Sequence, residues 1–183
     1  MIHSALSSTA DRLNEYLRNR FAQSEDKVIM SSLVNQDGSV AVTENDRIIL
    51  TMVNLQQETV TQRSIAADGP NRPVNLNIFL LFSAYFSEGN YVEALKFLSA
   101  IIGFFQAHKV LNHQNTPDLD QDIDKLVFEI VNQDLQNQSH LWGMMGGKYL
   151  PSILYKVRMV TIQEGMFGGE IPNITGFGQK SLL

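Results

Sequence analysis

Five carboxylates of this chain are spaced like the ligands of a calcium-binding loop. They fall at positions one, three, five, seven and twelve of such a loop: Asp118, Asp120, Asp122, Asp124 and Glu129. Position six requires glycine for a sharp turn, and Ile123 stands there instead. The residues that follow alternate as in a strand, whereas a calcium loop leads into a helix. We therefore expect an acidic connection without a bound metal, and a calcium-dependent binding module is kept as an alternative.

The glycines and lysine between Gly143 and Tyr149 are superficially similar to a phosphate-binding loop. The spacing from the first glycine to the Gly-Lys pair is one residue too short. In addition, Tyr149 stands where a magnesium-binding serine or threonine is required. The segment also follows a predicted helix and precedes a predicted strand, which is the reverse of the necessary order. It therefore predicts the C-terminal cap of a helix.

The histidines do not have the spacing of a metal-binding or catalytic set. There are four of them: His3, His108, His113 and His140. No pair matches the zinc-protease motif, and no serine lies in a Gly-x-Ser-x-Gly sequence. The chain has no cysteine, which excludes thiolate ligands and thiol nucleophiles. We expect no catalytic residue and no cofactor, so a small enzyme with unconventional chemistry is the least favoured alternative.

Trp142 lies at the corner between a predicted helix and a predicted strand, with Tyr149 and Tyr155 nearby in the sequence. These three aromatic residues could line a ligand pocket. Aromatic side chains at such a corner fill a core or an interface more often. Trp142 is therefore a candidate for contact with a partner, and a place in the core is the alternative.

The last 19 residues combine many glycines with large apolar side chains. Glycine loses the most backbone entropy on ordering, so the segment does not predict a helix or a strand of its own. Its apolar residues would nevertheless gain from burial. We expect a domain over residues 1–164 and an arm over residues 165–183 that orders against a partner. The candidate contacts in the arm are Met166, Phe167, Ile171 and Phe177.

Hydrophobic periodicity predicts the elements that must position these residues. A run that is apolar at nearly every position, Leu76 to Phe82, is typical of a central strand buried on both faces. The helix predicted from Tyr91 to His108 is apolar almost all round, so we expect it to be enclosed by the core or covered by a partner. The other predictions are a helix from Ile2 to Phe21, another from Asp134 to Met145, and strands at Lys27–Leu33, Arg47–Glu58, Lys125–Val131 and Tyr149–Gln163. This order predicts one α+β domain with a mixed or antiparallel sheet flanked by helices.

Composition limits the possible partners. The 183 residues carry a formal net charge of −5, and 18% of them are charged. This balance disfavours nucleic-acid binding, because affinity for phosphate comes from clustered lysine and arginine. The chain has no apolar run long enough to predict a membrane span, and its N-terminus lacks the pattern of a signal peptide. We expect synthesis in the cytoplasm and association with other protein subunits.

Several segments are similar to those of one known family. The strand sequence from Arg72 to Phe82 and the block from Leu141 to Val157 resemble the tail-terminator, or cap, proteins of phage-tail-like contractile injection systems of the anti-feeding-prophage and virulence-cassette type. The helix beginning Tyr91–Leu98 and the loop Asn112–Pro117 fit the same pattern. The resemblance extends from about Ala5 to Gln163.

The resemblance implies a tail-terminator-like fold and a structural role. Members of this family form a ring, expected to be hexameric, that ends the inner tube and the sheath of the injection system. The partners it implies are further copies of the chain and the tube and sheath proteins, and the chain would reside in an injection particle. The resemblance carries over no catalytic residue. Another ring or adaptor subunit of the same machine, in the tube or the baseplate, is the main alternative.

Overall fold

The computed structural model describes residues 1–58, 75–146 and 148–161. The described residues contain three helices and six strands. In chain order they are α1 (Ile2–Phe21), β1 (Val28–Met30), β2 (Arg47–Gln57), β3 (Leu76–Tyr85), α2 (Tyr91–Ala107), β4 (Val110–Asn112), β5 (Ile123–Ile130), α3 (Leu135–Met144) and β6 (Ser152–Thr161).

The strands form one sheet in the order β1-β2-β3-β6-β5-β4. The short edge strand β1 is parallel to β2, and every other neighbouring pair is antiparallel. The expected α+β architecture with a mixed sheet is therefore confirmed. The predicted central strand corresponds to β3, where consecutive residues Leu80 and Leu81 are each only 1% exposed. Because neighbouring side chains of a strand point to opposite faces, both faces of the sheet are covered at β3.

The primary core lies between the sheet and the layer formed by α1 and α2. Aromatic rings fill its centre: Phe105 of α2 stacks on Phe128 of β5 with ring centroids 4.2 Å apart, and Tyr155 of β6 meets Phe82 of β3 edge-on at 5.8 Å. Burial of each such side chain contributes about 1.5–3 kcal/mol relative to exposure. Leu13 and Leu17 of α1 belong to the same core, so both helices pack on one face of the sheet.

A second, smaller core covers the opposite face. Its buried members come from β2, β3, β6, α3 and the loop between β1 and β2: Leu33, Val42, Ile49, Leu81, Trp142 and Leu154. The loop turns back at Asp37-Gly38, with Gly38 at φ 82° and its N–H donating to the carbonyl of Asn35 at 3.0 Å. The turn thus places Leu33 and Val42 over the sheet.

Helix α2 buries most, but not all, of its predicted apolar stripe. The sequence places Tyr91, Leu95, Leu98, Ile102 and Phe105 on that stripe, widened by Phe97, Ala100, Ile101 and Phe104. Tyr91 and Leu95, at the start of the helix, are 60% and 40% exposed. The buried side chains form one row along the helix: Ala94, Phe97, Leu98, Ala100, Ile101, Phe104 and Phe105. The small residues Ala94 and Ala100 are both 2% exposed, so this row lies closest to the packed layers beneath the helix. Because α2 is apolar almost all round, periodicity alone could not select its buried row.

The strand boundaries also differ in places. Strand β1 contains three residues, whereas the predicted strand extends to Leu33. Strand β1 ends at Met30, and the chain then enters a hairpin-like loop in which Val34 bridges to Val40. The sequence prediction missed β4, a three-residue strand whose pairing with β5 forms the other edge of the sheet. Elements this short carry too few residues to show a period.

A single buried side chain ties α1 to the edge strand β1. The Asn14 Oδ1 atom accepts hydrogen bonds from the backbone N–H groups of Lys27 at 3.0 Å and Val28 at 2.8 Å. Its Nδ2 group donates to the carbonyl oxygen of Val28 at 2.9 Å. Asn14 therefore supplies the hydrogen bonds that a further neighbouring strand would otherwise provide, and it fixes the position of α1 over the sheet.

We expect Asn14→Ala to lower the free energy of unfolding by about 2–4 kcal/mol, because three backbone groups lose their partners inside the protein. Asn19→Ala is the matched control: Asn19 lies exposed on the same helix, and its replacement should change stability by no more than about 0.5 kcal/mol. Urea unfolding of both variants provides the measurement. Equal stability of the two variants would contradict a stabilising role for Asn14.

Candidate assembly surfaces

The acidic segment that resembles a calcium loop forms the connection into β5. Ile123 is fully buried in the primary core, so a core side chain stands at the position where a calcium loop requires glycine for its sharp turn. The Asp120 carboxylate accepts a hydrogen bond from the backbone N–H of Asp122 at 3.1 Å, which is the main cause of its lowered pKa, and lies 3.3 Å from the amino group of Met1. Among the described residues, no group of three or more histidine, cysteine, aspartate or glutamate side chains could hold a metal ion.

Two other acidic residues of the same series have lysine partners. Asp124 lies 3.5 Å from Lys125, and Glu129 lies 3.2 Å from Lys156 of the adjacent strand β6. These contacts direct the two carboxylates to different neighbours. The segment therefore has the geometry of an acidic surface loop followed by a strand.

The Gly-Lys segment lies at the C-terminal end of α3, as predicted. The Asp134 side chain caps the start of this helix by accepting a hydrogen bond from the N–H of Asn137 at 2.7 Å. At the other end, the N–H of Met145 donates to Leu141, and Gly146 follows at φ 66°. A left-handed glycine after the last turn is a common way to end a helix.

The two histidines with ring hydrogen bonds contact backbone carbonyl groups. His108 stacks on Phe104 with ring centroids 4.8 Å apart, and the His108 Nδ1 atom lies 3.2 Å from the carbonyl oxygen of Phe104. The Nε2 atom of His113 lies 2.9 Å from the carbonyl oxygen of Ile123. His108 thus packs at the end of α2, and His113 links the loop after β4 to the start of β5.

The three aromatic residues around the helix-to-strand corner do not form one pocket. Trp142 is 5% exposed in the second core, where its ring meets that of Tyr149 edge-on at 5.7 Å. Tyr155 points to the opposite face of the sheet and packs in the primary core against Phe105. The two possibilities for Trp142 were core and interface, and the structure places its indole in the core. A direct contact between Trp142 and a partner stays a prediction.

The other predicted partner contacts lie outside the described residues. They are Met166, Phe167, Ile171 and Phe177, and the predicted boundary between residues 164 and 165 lies outside them as well. The arm therefore also stays a prediction.

An exposed apolar surface lies on the first half of α2, the helix that the sequence predicts to be enclosed by the core or covered by a partner. Val92 is 66% exposed, and with Leu95 it borders a shallow groove against the end of α1. Phe21 of α1 forms part of the groove and packs on Phe97. The sequence signal for this surface is the excess of apolar residues on α2, because only some of them are buried in the core.

A second exposed surface is the outer half of β2. Residues Asn54 to Gln57 pair with β3, but β1 pairs only with Ile48 to Leu50. Within the described part of the chain, the outer edge beyond these residues has no neighbouring strand. Met52 and Leu55 are exposed there. Such an edge offers unpaired backbone groups to another chain.

Comparison with known proteins identifies the family. The family model described as the Pvc16 N-terminal domain matches residues 8–174 of the chain. The chain belongs to the Pvc16 N-terminal domain family. This confirms the resemblance that the strand from Arg72 and the block from Leu141 indicated.

Solved structures share the fold of this Pvc16 N-terminal domain. One is the sheath/tube terminator of PVC, an extracellular contractile injection system, in the extended state; it is similar over 100% of this chain and 64% of that chain, with a TM-score of 0.62 and 12% sequence identity. Another is the tube-terminating cap of the anti-feeding prophage, with a TM-score of 0.56 and 15% identity over 93% of this chain and 59% of that chain. This chain thus spans less than two thirds of either protein.

A search of the curated proteins found no match. In the portion of the chain that the structure describes, no helix has the length and apolar character to cross a membrane.

We expect Trp142→Ala to destabilise the protein by about 3–5 kcal/mol, because it removes a large buried side chain from the second core. Trp142→Phe should recover most of this loss, since it retains an aromatic ring there. Urea unfolding measures the effect, and size-exclusion chromatography of the same samples reports association. Unchanged stability with lost association would contradict the placement in the core and would favour a direct contact with a partner.

Proposed function

We propose that this chain is a structural subunit that ends the inner tube and the sheath of a contractile injection system. The observation that carries the proposal is similarity to the PVC sheath/tube terminator over the full length of this chain. The match to the Pvc16 N-terminal domain family and the similarity to the anti-feeding prophage cap support the same role. The subunit is synthesised in the cytoplasm and becomes part of an injection particle.

The proposed role is structural and not catalytic. Three of the candidate side chains have structural partners: the Asp120 carboxylate accepts from the N–H of Asp122, Glu129 lies beside Lys156 of the adjacent strand, and His113 contacts a backbone carbonyl. The exposed apolar residues on α2 and β2 instead offer surfaces for protein contacts. Such a distribution favours assembly with other subunits, including tube and sheath proteins.

The proposed assembly is a closed ring, most simply of six copies. A cap has to match the symmetry of the tube that it ends, and cyclic rings are built from repeated head-to-tail contacts. We expect purified protein to form a discrete ring, alone or on added tubes. Light scattering gives the mass in solution, and electron microscopy shows the symmetry at tube ends. A chain that remains monomeric at all concentrations and never occupies tube ends would refute the proposed function.

The glycine-rich arm is proposed to secure the ring to an adjacent cap subunit or to the last ring of the sheath. The described part of β6 ends at Thr161, before the arm begins. Addition of a strand to the edge of a neighbouring sheet is one way for such an arm to bind, because backbone hydrogen bonds supply affinity and alternating side chains supply fit.

We expect deletion of residues 166–183 to leave a folded domain that closes rings or attaches to sheath less well. Thermal unfolding tests the fold, and the fraction of capped particles tests the attachment. A full-length variant in which Phe167 and Phe177 are both changed to serine serves as the matched control for chain length. If the truncated protein caps particles as often as the wild type, the arm is dispensable.

A further inference from the structure

Helix α1 separates two surface regions of opposite charge. At its N-terminal end lies the acidic loop, Pro117 to Asp122, where the Ser8 hydroxyl donates to the backbone carbonyl of Asp118 at 3.3 Å. At its C-terminal end lies the groove formed with α2. At 1.5 Å per residue, the 12 steps from Ser8 to Arg20 place the loop's contact on α1 about 18 Å from the groove. The two regions are therefore distinct surfaces of one subunit.

The groove combines an apolar floor with two positive charges. Its main lining residues are Arg20, Phe21, Val92, Leu95, Lys96 and Ser99. The Arg20 guanidinium donates to the Tyr16 hydroxyl at 2.8 Å, and no carboxylate of the described residues forms an ion pair with Arg20 or Lys96. The groove therefore retains unneutralised positive charge beside exposed apolar surface.

The acidic loop has the complementary property. Asp118 and Asp122 are exposed, and neither side chain has an ion-pair partner among the residues that the structure describes. Asp120 lies between them in sequence and is already held by the backbone of Asp122. The loop thus presents two free negative charges at the opposite end of α1 from the groove.

We propose that the groove at Lys96 binds the acidic loop at Asp122 of a second copy of this chain, so that successive subunits join head to tail. This inference rests on the proposed function, since it names the contact that closes the proposed ring. Two different patches on one subunit are what a heterologous contact requires, and rotation between successive copies closes such contacts into a ring. Arg20 and Lys96 face Asp118 and Asp122 across the contact, and the apolar floor of the groove is covered by the neighbour.

Charge reversal on either side gives a sharp test. Lys96→Glu places a negative charge opposite Asp122, and Asp122→Lys places a positive charge opposite Lys96, so each variant alone is expected to associate at least tenfold more weakly than the wild type. An equimolar mixture of the two variants is expected to recover association, because residue 96 of each subunit can then meet a residue 122 of opposite charge. Such rings alternate between the variants and close only with an even number of subunits. Analytical ultracentrifugation and native mass spectrometry measure the masses.

Matched controls keep the change in net charge the same at other exposed positions. Lys109→Glu, beyond the far end of α2, and Asp11→Lys, in the middle of α1, are expected to associate like the wild type. Raising the salt concentration from 0.15 M to 1 M should weaken the wild-type ring, because the screening length falls from about 8 Å to about 3 Å.

The outcomes separate the contact from the ring itself. Wild-type rings with normal assembly of both single variants would overturn the proposed contact and leave the proposed function standing. Loss of assembly that the mixture does not restore would also overturn the contact, because it indicates damage to each subunit. A wild-type chain that never forms rings contradicts the proposed function directly.

Discussion

Consecutive side chains of β3 enter two different cores, and this double burial organises the molecule. Leu80 packs in the primary core beneath α1 and α2, and Leu81 packs in the second core with Trp142 of α3. A strand with apolar side chains on both faces is stable only when both faces are removed from water. The helices on one side, and α3 with the loop between β1 and β2 on the other, meet that requirement. The neighbouring strands β2 and β6 then satisfy the backbone of β3 through antiparallel pairing on both sides.

Two aromatic side chains in the cores carry a buried polar atom that has no hydrogen-bond partner among the described residues. The Tyr155 hydroxyl is buried and has no hydrogen-bond partner in the described part of the chain, and burial raises its pKa to about 12. Its ring nevertheless contacts Phe82, Phe105 and Phe128. The Trp142 indole N–H is similarly buried without a described partner. At both positions the burial of a large ring offsets the cost of an unsatisfied polar group.

The distribution of charge along α1 has consequences within the subunit and between subunits. Arg18 and Arg20 lie in the last turn, where the partial negative charge of the helix dipole favours cations. The acidic loop lies near the first turn, where the dipole favours anions. Stabilisation of α1 and the proposed contact between successive subunits therefore call for the same arrangement of charge. A short edge strand at each side of the sheet leaves these surfaces, together with the outer edge of β2, as the places where contacts with other chains are physically favoured.

The sequence by itself determined the elements with a long, unambiguous period. The bounds of α1 match the prediction, and Leu76 to Phe82 was recognised as a buried central strand because it has no polar face. It also determined the end of α3, since Gly146 adopts a backbone conformation that favours glycine. Tertiary structure alone decided which row of α2 is buried, because a helix that is apolar on all sides takes its orientation from its neighbours. It also decided that Trp142 and Tyr155 belong to opposite faces of the sheet, and it brought together the groove residues Arg20 and Lys96. These relations join residues far apart in the chain, and local spacing carries no information about which of them meet.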